Sequence, residues 1–158
     1  MKTAKCHICG CENEIPDGQS SCCALCGADL ADAQAETMMR EMSKGAYSTA
    51  DSATPMSSCN IYLTDKRLIV IPENVKMQGF GLSGAAMAAA WNKVSESLTK
   101  DLGVVSFPLE KVSSVKSCKF GLFRKAILIN SSDGEMVKLA ARNLNEWEGA
   151  ITKAAGNL

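Results

Sequence analysis

The stretch NIYLTDKRLIVIPE, residues 60–73, sets β-forming residues on both sides of a short polar centre at Asp65 and Lys66. Ile61, Tyr62 and Leu63 make one strand and residues 68–71 a second, which Pro72 closes because proline has no ladder donor to offer. Toward the C-terminus, FPLEKVSSVKSC (107–118) reads as extended, and AILINSSDGEMVKLAA (126–141) as a hairpin with Asp133 and Gly134 in its turn. The chain then changes period. NLNEWEGAITKAAGN (143–157) puts Leu144, Trp147, Ile151 and Ala154 on one helical face, with Asn143 and Glu146 spaced as a capping pair. Several strands followed by one amphipathic helix predict an α+β chain in which a bent sheet or barrel is capped by that helix.

Toward the N-terminus, DLADAQAETMMREMSK (29–44) reads as a helix, because Ala31, Ala35, Met38 and Met42 recur at a spacing of three or four and Asp29 can cap its start. Gly45 ends it, and the Ser/Thr/Ala/Asp/Pro composition of 48–55 reads as a flexible connection. The expected organisation is a small cysteine-rich module over 1–30, a helical linker over 31–54 and a larger domain over 55–158.

The module before the linker holds six of the eight cysteines, in CHICGCENEIPDGQSSCCALCG, residues 6–27. Two pairs share one form, Cys6-His7-Ile8-Cys9-Gly10 and Cys23-Ala24-Leu25-Cys26-Gly27. In such a knuckle two intervening residues turn both sulfurs toward one point, and the following glycine adopts the backbone shape that brings amides near the thiolates. Thirteen residues separate Cys9 from Cys23, room for a short hairpin around Pro16, Asp17 and Gly18. Cys6, Cys9, Cys23 and Cys26 are therefore the expected ligands of one Zn2+, in a closed structural site with no position left for a reactive water. Using Cys22 in place of Cys23 gives CxxxC and loses the match between knuckles. Cys11 and Cys22 are then spare, either small neighbours of the metal or the trigger of a thiol-based redox or zinc sensor. His7, between two ligands, is expected to point away from the metal.

Composition limits the remaining choices. The 158 residues are 46% apolar, enough for a core, and 17 basic residues balance 17 acidic ones. Residues 1–58 hold four basic and eight acidic side chains, so the cysteine-rich part is a poor phosphate binder and nucleic acid is disfavoured as a partner. No apolar stretch has signal-peptide or membrane-spanning length, and clustered cysteines suit metal in a reducing compartment, so a cytoplasmic location is expected.

The CxxCG repeat resembles the small zinc ribbons found at the start of many prokaryotic proteins, over about the first 30 residues. IYLTDKRLIVIPE is similar to the hairpin of GRAM domains and related bacterial pleckstrin-homology-like domains, usually written YLTNKRLI. FPLEKVSSV and the tryptophan-bearing last helix extend the resemblance over roughly 55–155. It implies a split β-barrel closed by a helix, without enzymatic activity, that binds a lipid headgroup or a protein partner. The chain departs from that pattern in an insertion, KMQGFGLSGAAMAAAWNKVSESLTKDLG (76–103), where Met87, Trp91, Val94 and Leu98 make a helical stripe. That helix, 84–98, is expected either on the sheet edge or at a membrane or partner surface.

Catalytic constellations are missing: the single histidine lies inside a knuckle, and Gly79, Gly81 and Gly84 lack the lysine of a phosphate-binding loop. The expected chain is not an enzyme. Its candidate ligand-binding residues are Lys111, Lys116, Lys119, Arg124 and Lys125, which face only Glu110 in opposition across sixteen residues and suit an anionic headgroup at a peripheral membrane contact. Strand alternation places Lys116 and Lys119 on opposite faces. The expected function is a zinc-binding adaptor for a lipid headgroup or protein. The alternatives are a nucleic-acid-binding zinc-ribbon protein and the thiol sensor.

Overall fold

A computed structural model of the chain describes residues 2–18, 22–49, 56–73, 104–120 and 124–156. Among these, two short strands, β1 (Lys2–Lys5) and β2 (Glu12–Ile15), precede seven longer-range ones: β3 (Met38–Ser48), β4 (Ser57–Thr64), β5 (Arg67–Pro72), β6 (Val105–Pro108), β7 (Val112–Phe120), β8 (Arg124–Ser131) and β9 (Met136–Ala140). A single 3₁₀ turn, Leu109–Lys111, joins β6 to β7, and the helix α1 (Leu144–Ala155) follows β9.

The 60–73 stretch forms the hairpin its composition predicts, with Leu63 opposite Leu68 and Cys59 opposite Pro72. Asp65 and Lys66 make the turn, where the Thr64 hydroxyl accepts hydrogen bonds from the amides of Lys66 and Arg67 at 3.2 and 3.0 Å. The 126–141 hairpin is also present, with Asp133 and Gly134 in its turn.

The helix expected over 29–44 does not form. Residues 29–37 are turns, and 38–48 are the first strand of the large sheet, where a helical linker was expected. Met38 and Met42 lie four apart, a spacing compatible with one side of a helix or of a regular strand, but β3 is irregular between Met38 and Arg40, so that Met38 packs on the knuckle cluster and Met42 on the inner core. Their neighbours decide it: burial alternates from Met38 through Met42, with Met38, Arg40 and Met42 half-buried and Met39 and Glu41 exposed.

The seven strands hydrogen-bond in the order β6-β5-β4-β3-β9-β8-β7. β3 joins the two halves of the sheet, because it pairs with β4 from Met38 to Tyr47 and its last residues, Ala46, Tyr47 and Ser48, pair with β9 on the other side. The expected split barrel is thus a bent sheet that stays open, since β6 and β7 follow one another in the chain without pairing. Pro108 brings no N–H to the edge of β6 that is unpaired among the described residues, and the 3₁₀ turn after it carries the chain round a corner.

Inside the bend, Ile61, Leu63, Leu68, Val70, Ile127 and Ile129 pack with Trp147 and Ile151 of α1, all fully buried. The helix therefore buries the predicted face. Its start differs from the expected capping pair: Asn143 is left-handed (φ 54) and makes no side-chain cap bond. Glu146 instead meets Arg40, whose guanidinium lies 5.3 Å from the Trp147 ring centroid.

β5 is buried on both faces, which accounts for the unbroken apolar run LIVI. Leu68 and Val70 face the core, while Ile69 and Ile71, with Tyr62 of β4, form the outer face and are covered by the cysteine knuckles. One buried cluster thus joins the cysteine module to the sheet. The expected flexible segment lies within 48–55, of which Ser48 belongs to β3 and 50–55 fall outside the described residues, as does the 84–98 stripe.

Candidate metal centre and charged surfaces

The two knuckles fold alike. Gly10 N–H bonds the Cys6 carbonyl at 3.0 Å and Gly27 N–H the Cys23 carbonyl at 2.8 Å, with both glycines left-handed at φ 74 and 73, a conformation that costs other residues. The hairpin of this module is set differently from expectation. β1 pairs with β2 across the first knuckle, Lys5 opposite Glu12, and the Pro16-Asp17-Gly18 turn follows it.

All four expected ligand sulfurs lie within 4.8 Å of one another and are buried. Cys6 Sγ is 3.6 Å from Cys26 Sγ, and Cys9 Sγ is 3.6 Å from Cys23 Sγ. A disulfide requires about 2.05 Å, and all eight cysteines are unbridged. Four sulfurs about 2.3 Å from a central ion stand about 3.8 Å apart in a tetrahedron, so this donor set fits a metal ion with little movement. Hydrogen bonding among the thiols, to Cys23 foremost, pushes Cys9 and Cys26 up, while the bonds Cys23 receives, from Cys11 first, pull it down. Only a cation at their centre lets all four carry charge together.

Three residues that the cysteine spacing does not indicate complete the centre. Asn13 is 1% exposed. Its amide donates to the Cys11 carbonyl at 2.9 Å and lies 3.6 Å from Cys23 Sγ, while its Oδ1 accepts from Ala24 N–H at 2.9 Å, tying the two knuckles together. Arg67, at the start of β5, binds the buried Glu36 through Nε at 2.7 Å and Nη2 at 3.0 Å, and reaches Ser106 Oγ at 3.1 Å. Thr64 also donates to Glu36, at 2.7 Å. Burial opposes the charge on Glu36, but the bonds from Arg67 and Thr64 outweigh it and hold the carboxyl below its usual range. Burial opposes the charge on Arg67, but its bonds to Glu36 and, after them, the nearby Cys26 and Cys6 sulfurs hold the guanidinium charged.

His7 points away from the sulfurs. Its Nε2 is 3.1 Å from the Glu36 carbonyl, which can only accept, so that nitrogen carries the proton. Cys11 is buried beside the cluster with its thiol toward the Glu12 carbonyl at 3.5 Å. Cys22 is half-exposed, bridges to Asp29 through the backbone, and its thiol is pushed up by burial.

The five basic candidates do not converge. Lys111 sits beside the Val112–Ser131 end of the β7–β8 hairpin, 3.6 Å from Asp133, while Lys119, Arg124 and Lys125 are at the other end, where Lys119 pairs with Lys125 and Phe120 with Arg124. At about 3.3 Å per residue, the two ends are roughly 25 Å apart. Residues opposed in an antiparallel pair share a face, so Lys119 and Lys125 lie with Ser117, which bonds Glu148 of α1 at 2.9 Å, and Lys116 and Arg124 lie on the reverse face. All four are exposed, and none is in an ion pair among the described residues.

The sequence matches no protein-family model and no curated protein. The fold is similar to solved structures. One is described as the Vps36 N-terminal PH domain, with a TM-score of 0.53 and 15% identity over 83% of this chain and 86% of that one. Another is the C-terminal domain of an unknown protein from Leishmania infantum, with a TM-score of 0.51 and 9% identity over 78% of this chain and 87% of that one. At such identities the likeness concerns the fold, which is PH-like. No helix among the described residues is long and apolar enough to cross a membrane.

Proposed function

We propose that the chain is a non-enzymatic, zinc-binding adaptor whose PH-like sheet meets an anionic lipid headgroup surface. Four thiolates in a closed tetrahedron select zinc among common divalent ions, and with sulfur in every position the ion serves structure. The observation that carries the lipid reading is the tip of the β7–β8 hairpin. Like charges directly opposed weaken a strand pair, and Lys119 opposite Lys125 is such a pair, with no acidic partner among the described residues. An anion between the two relieves the repulsion. Because Lys116 and Arg124 project from the reverse face, the tip suits a layer of headgroups better than one enclosed pocket, each cation near such a layer contributing about 1 kcal/mol.

The test is cosedimentation of the zinc-loaded chain with vesicles containing phosphatidylserine, compared with neutral phosphatidylcholine vesicles. Binding is expected to the acidic vesicles alone and to weaken with salt. Replacing Lys119, Arg124 and Lys125 together by alanine is expected to reduce it by at least about tenfold, whereas Lys111→Ala, at the far end and paired with Asp133, leaves it unchanged. Equal binding to both vesicle types, no binding, or a larger effect of Lys111→Ala overturns the reading.

A further inference from the structure

At the opposite end of the hairpin the charges are mixed instead of uniformly basic, with Arg67 and Lys111 set against Asp133 and Glu135. A groove of about 720 Å³ lies there, lined by residues 104–108 in succession, by Cys26, Gly27 and Arg67 beside the metal centre, and by residues 133–136 of the β8–β9 turn. Residues 105–108 are β6, the terminal strand of the sheet among the described residues, so the groove follows an edge that none of those residues pairs with.

The register says which backbone groups that edge presents. Leu109 N–H bonds the Lys66 carbonyl at 2.9 Å, and the partners continue as Phe107 with Leu68 and Val105 with Val70. Hydrogen-bonded and non-bonded pairs alternate along an antiparallel ladder. Ser106 and Pro108 therefore direct their backbone groups away from β5, and Ser106, which is exposed, offers both an N–H and a carbonyl to an incoming strand. Pro108 offers a carbonyl alone and marks where pairing stops.

Charge around the groove selects the occupant. Arg67 is neutralised by Glu36 and Lys111 is paired with Asp133, which leaves the exposed Glu135 carboxylate without a cation among the described residues. A divalent ion, if held by the four thiolates, would leave the cluster with a net charge of −2, and Cys26 of that cluster lines the groove. We propose that this groove takes an extended, cationic peptide segment, added as a strand to the edge of β6. The contact uses main-chain hydrogen bonds for affinity and the Glu135 side for charge selection. It goes beyond the lipid contact and uses the other end of the molecule, so the adaptor joins a cationic peptide to an anionic surface.

A nine-residue peptide of alternating lysine and valine, blocked at both ends, probes the site on the zinc-loaded full chain by NMR. Saturable binding is expected, with the largest amide shifts at Ser106 and in the 133–136 turn. A copy N-methylated at alternate residues is expected to lose binding, and a glutamate–valine copy not to bind. Glu135→Lys is expected to weaken binding by about tenfold. Ser106→Pro removes the outward N–H and is expected to abolish it, while Ser106→Ala, which keeps the N–H, retains it. Should Ser106→Pro fail to fold, the N-methylated peptide still decides. No binding, equal binding of the N-methylated or glutamate peptide, or shifts confined to residues outside the groove overturns the proposal. Lys119→Ala is expected to leave peptide binding intact, so failure here is separable from failure on vesicles.

Discussion

Asn13 does for the metal centre what cysteine spacing alone cannot, holding one knuckle's carbonyl, the other knuckle's amide and a ligand sulfur with a single buried amide. Partners of this kind orient first ligands and tune affinity. The Glu36–Arg67 pair is the second such feature, and removing one partner of a buried pair costs about 3 kcal/mol or more because the other charge is stranded. Both lie outside any local motif. Asn13 sits in a strand between the knuckles, and Glu36 meets Arg67 across thirty-one positions of chain, so their roles become visible only once the chain is folded. The cysteines, by contrast, announce themselves because each knuckle is a local turn. Among them the geometry discriminates sharply. Serine at Cys6, Cys9, Cys23 or Cys26 is expected to lose bound zinc, whereas serine at Cys11 or Cys22 keeps close to one equivalent per chain by elemental analysis. Zinc retained by Cys23→Ser and lost by Cys22→Ser would reassign the ligand set.

β3 shows how an element is misread and what then holds it. Methionines four apart fit a helix and a strand equally, and strong helix formers such as Ala, Glu and Met fill 31–42, so propensity favours the wrong answer until pairing with β4 and β9 overrides it. The hairpins were legible because their turns and their β-branched runs agree, and α1 because four apolar residues keep one period over twelve positions. Within β3 the packing is tight at Gly45: a Cβ there would stand 2.8 Å from Ile61 Cδ1, and Ile61 is fully buried. Its backbone is not left-handed, so the constraint is steric. Gly45→Ala is expected to destabilise the fold by about 1–3 kcal/mol in denaturant unfolding. Ile61→Val removes the clashing methyl, so the double variant should recover part of that loss. Losses that simply add in the double variant would mean the strain lies elsewhere.

The molecule as a whole is one bent sheet with a different cover on each side of β4 and β5: α1 and the core within, the knuckles without. The sequence suggests two modules because the cysteines and the apolar strands differ so much in composition. The doubly buried run at 68–71 carries the opposite message, since a strand this apolar needs a cover on both faces. Its cations are also divided by end, Lys119, Arg124 and Lys125 at the tip of the β7–β8 hairpin and Lys111, paired with Asp133, beside the groove at the other. That division could not be read from the run of lysines, because alternation and the length of the hairpin separate residues that are close in sequence. Loss of the metal would release the knuckles and uncover Ile69, Ile71 and Tyr62, each worth about 1.5–3 kcal/mol when buried. The most direct test of the central claim, that the metal centre is the outer cover of the sheet, is calorimetric unfolding of the zinc-loaded chain with and without a strong chelator. A single transition is expected, displaced downward by about 10 °C or more on chelation. A sheet transition that keeps its temperature after the metal is gone would contradict it.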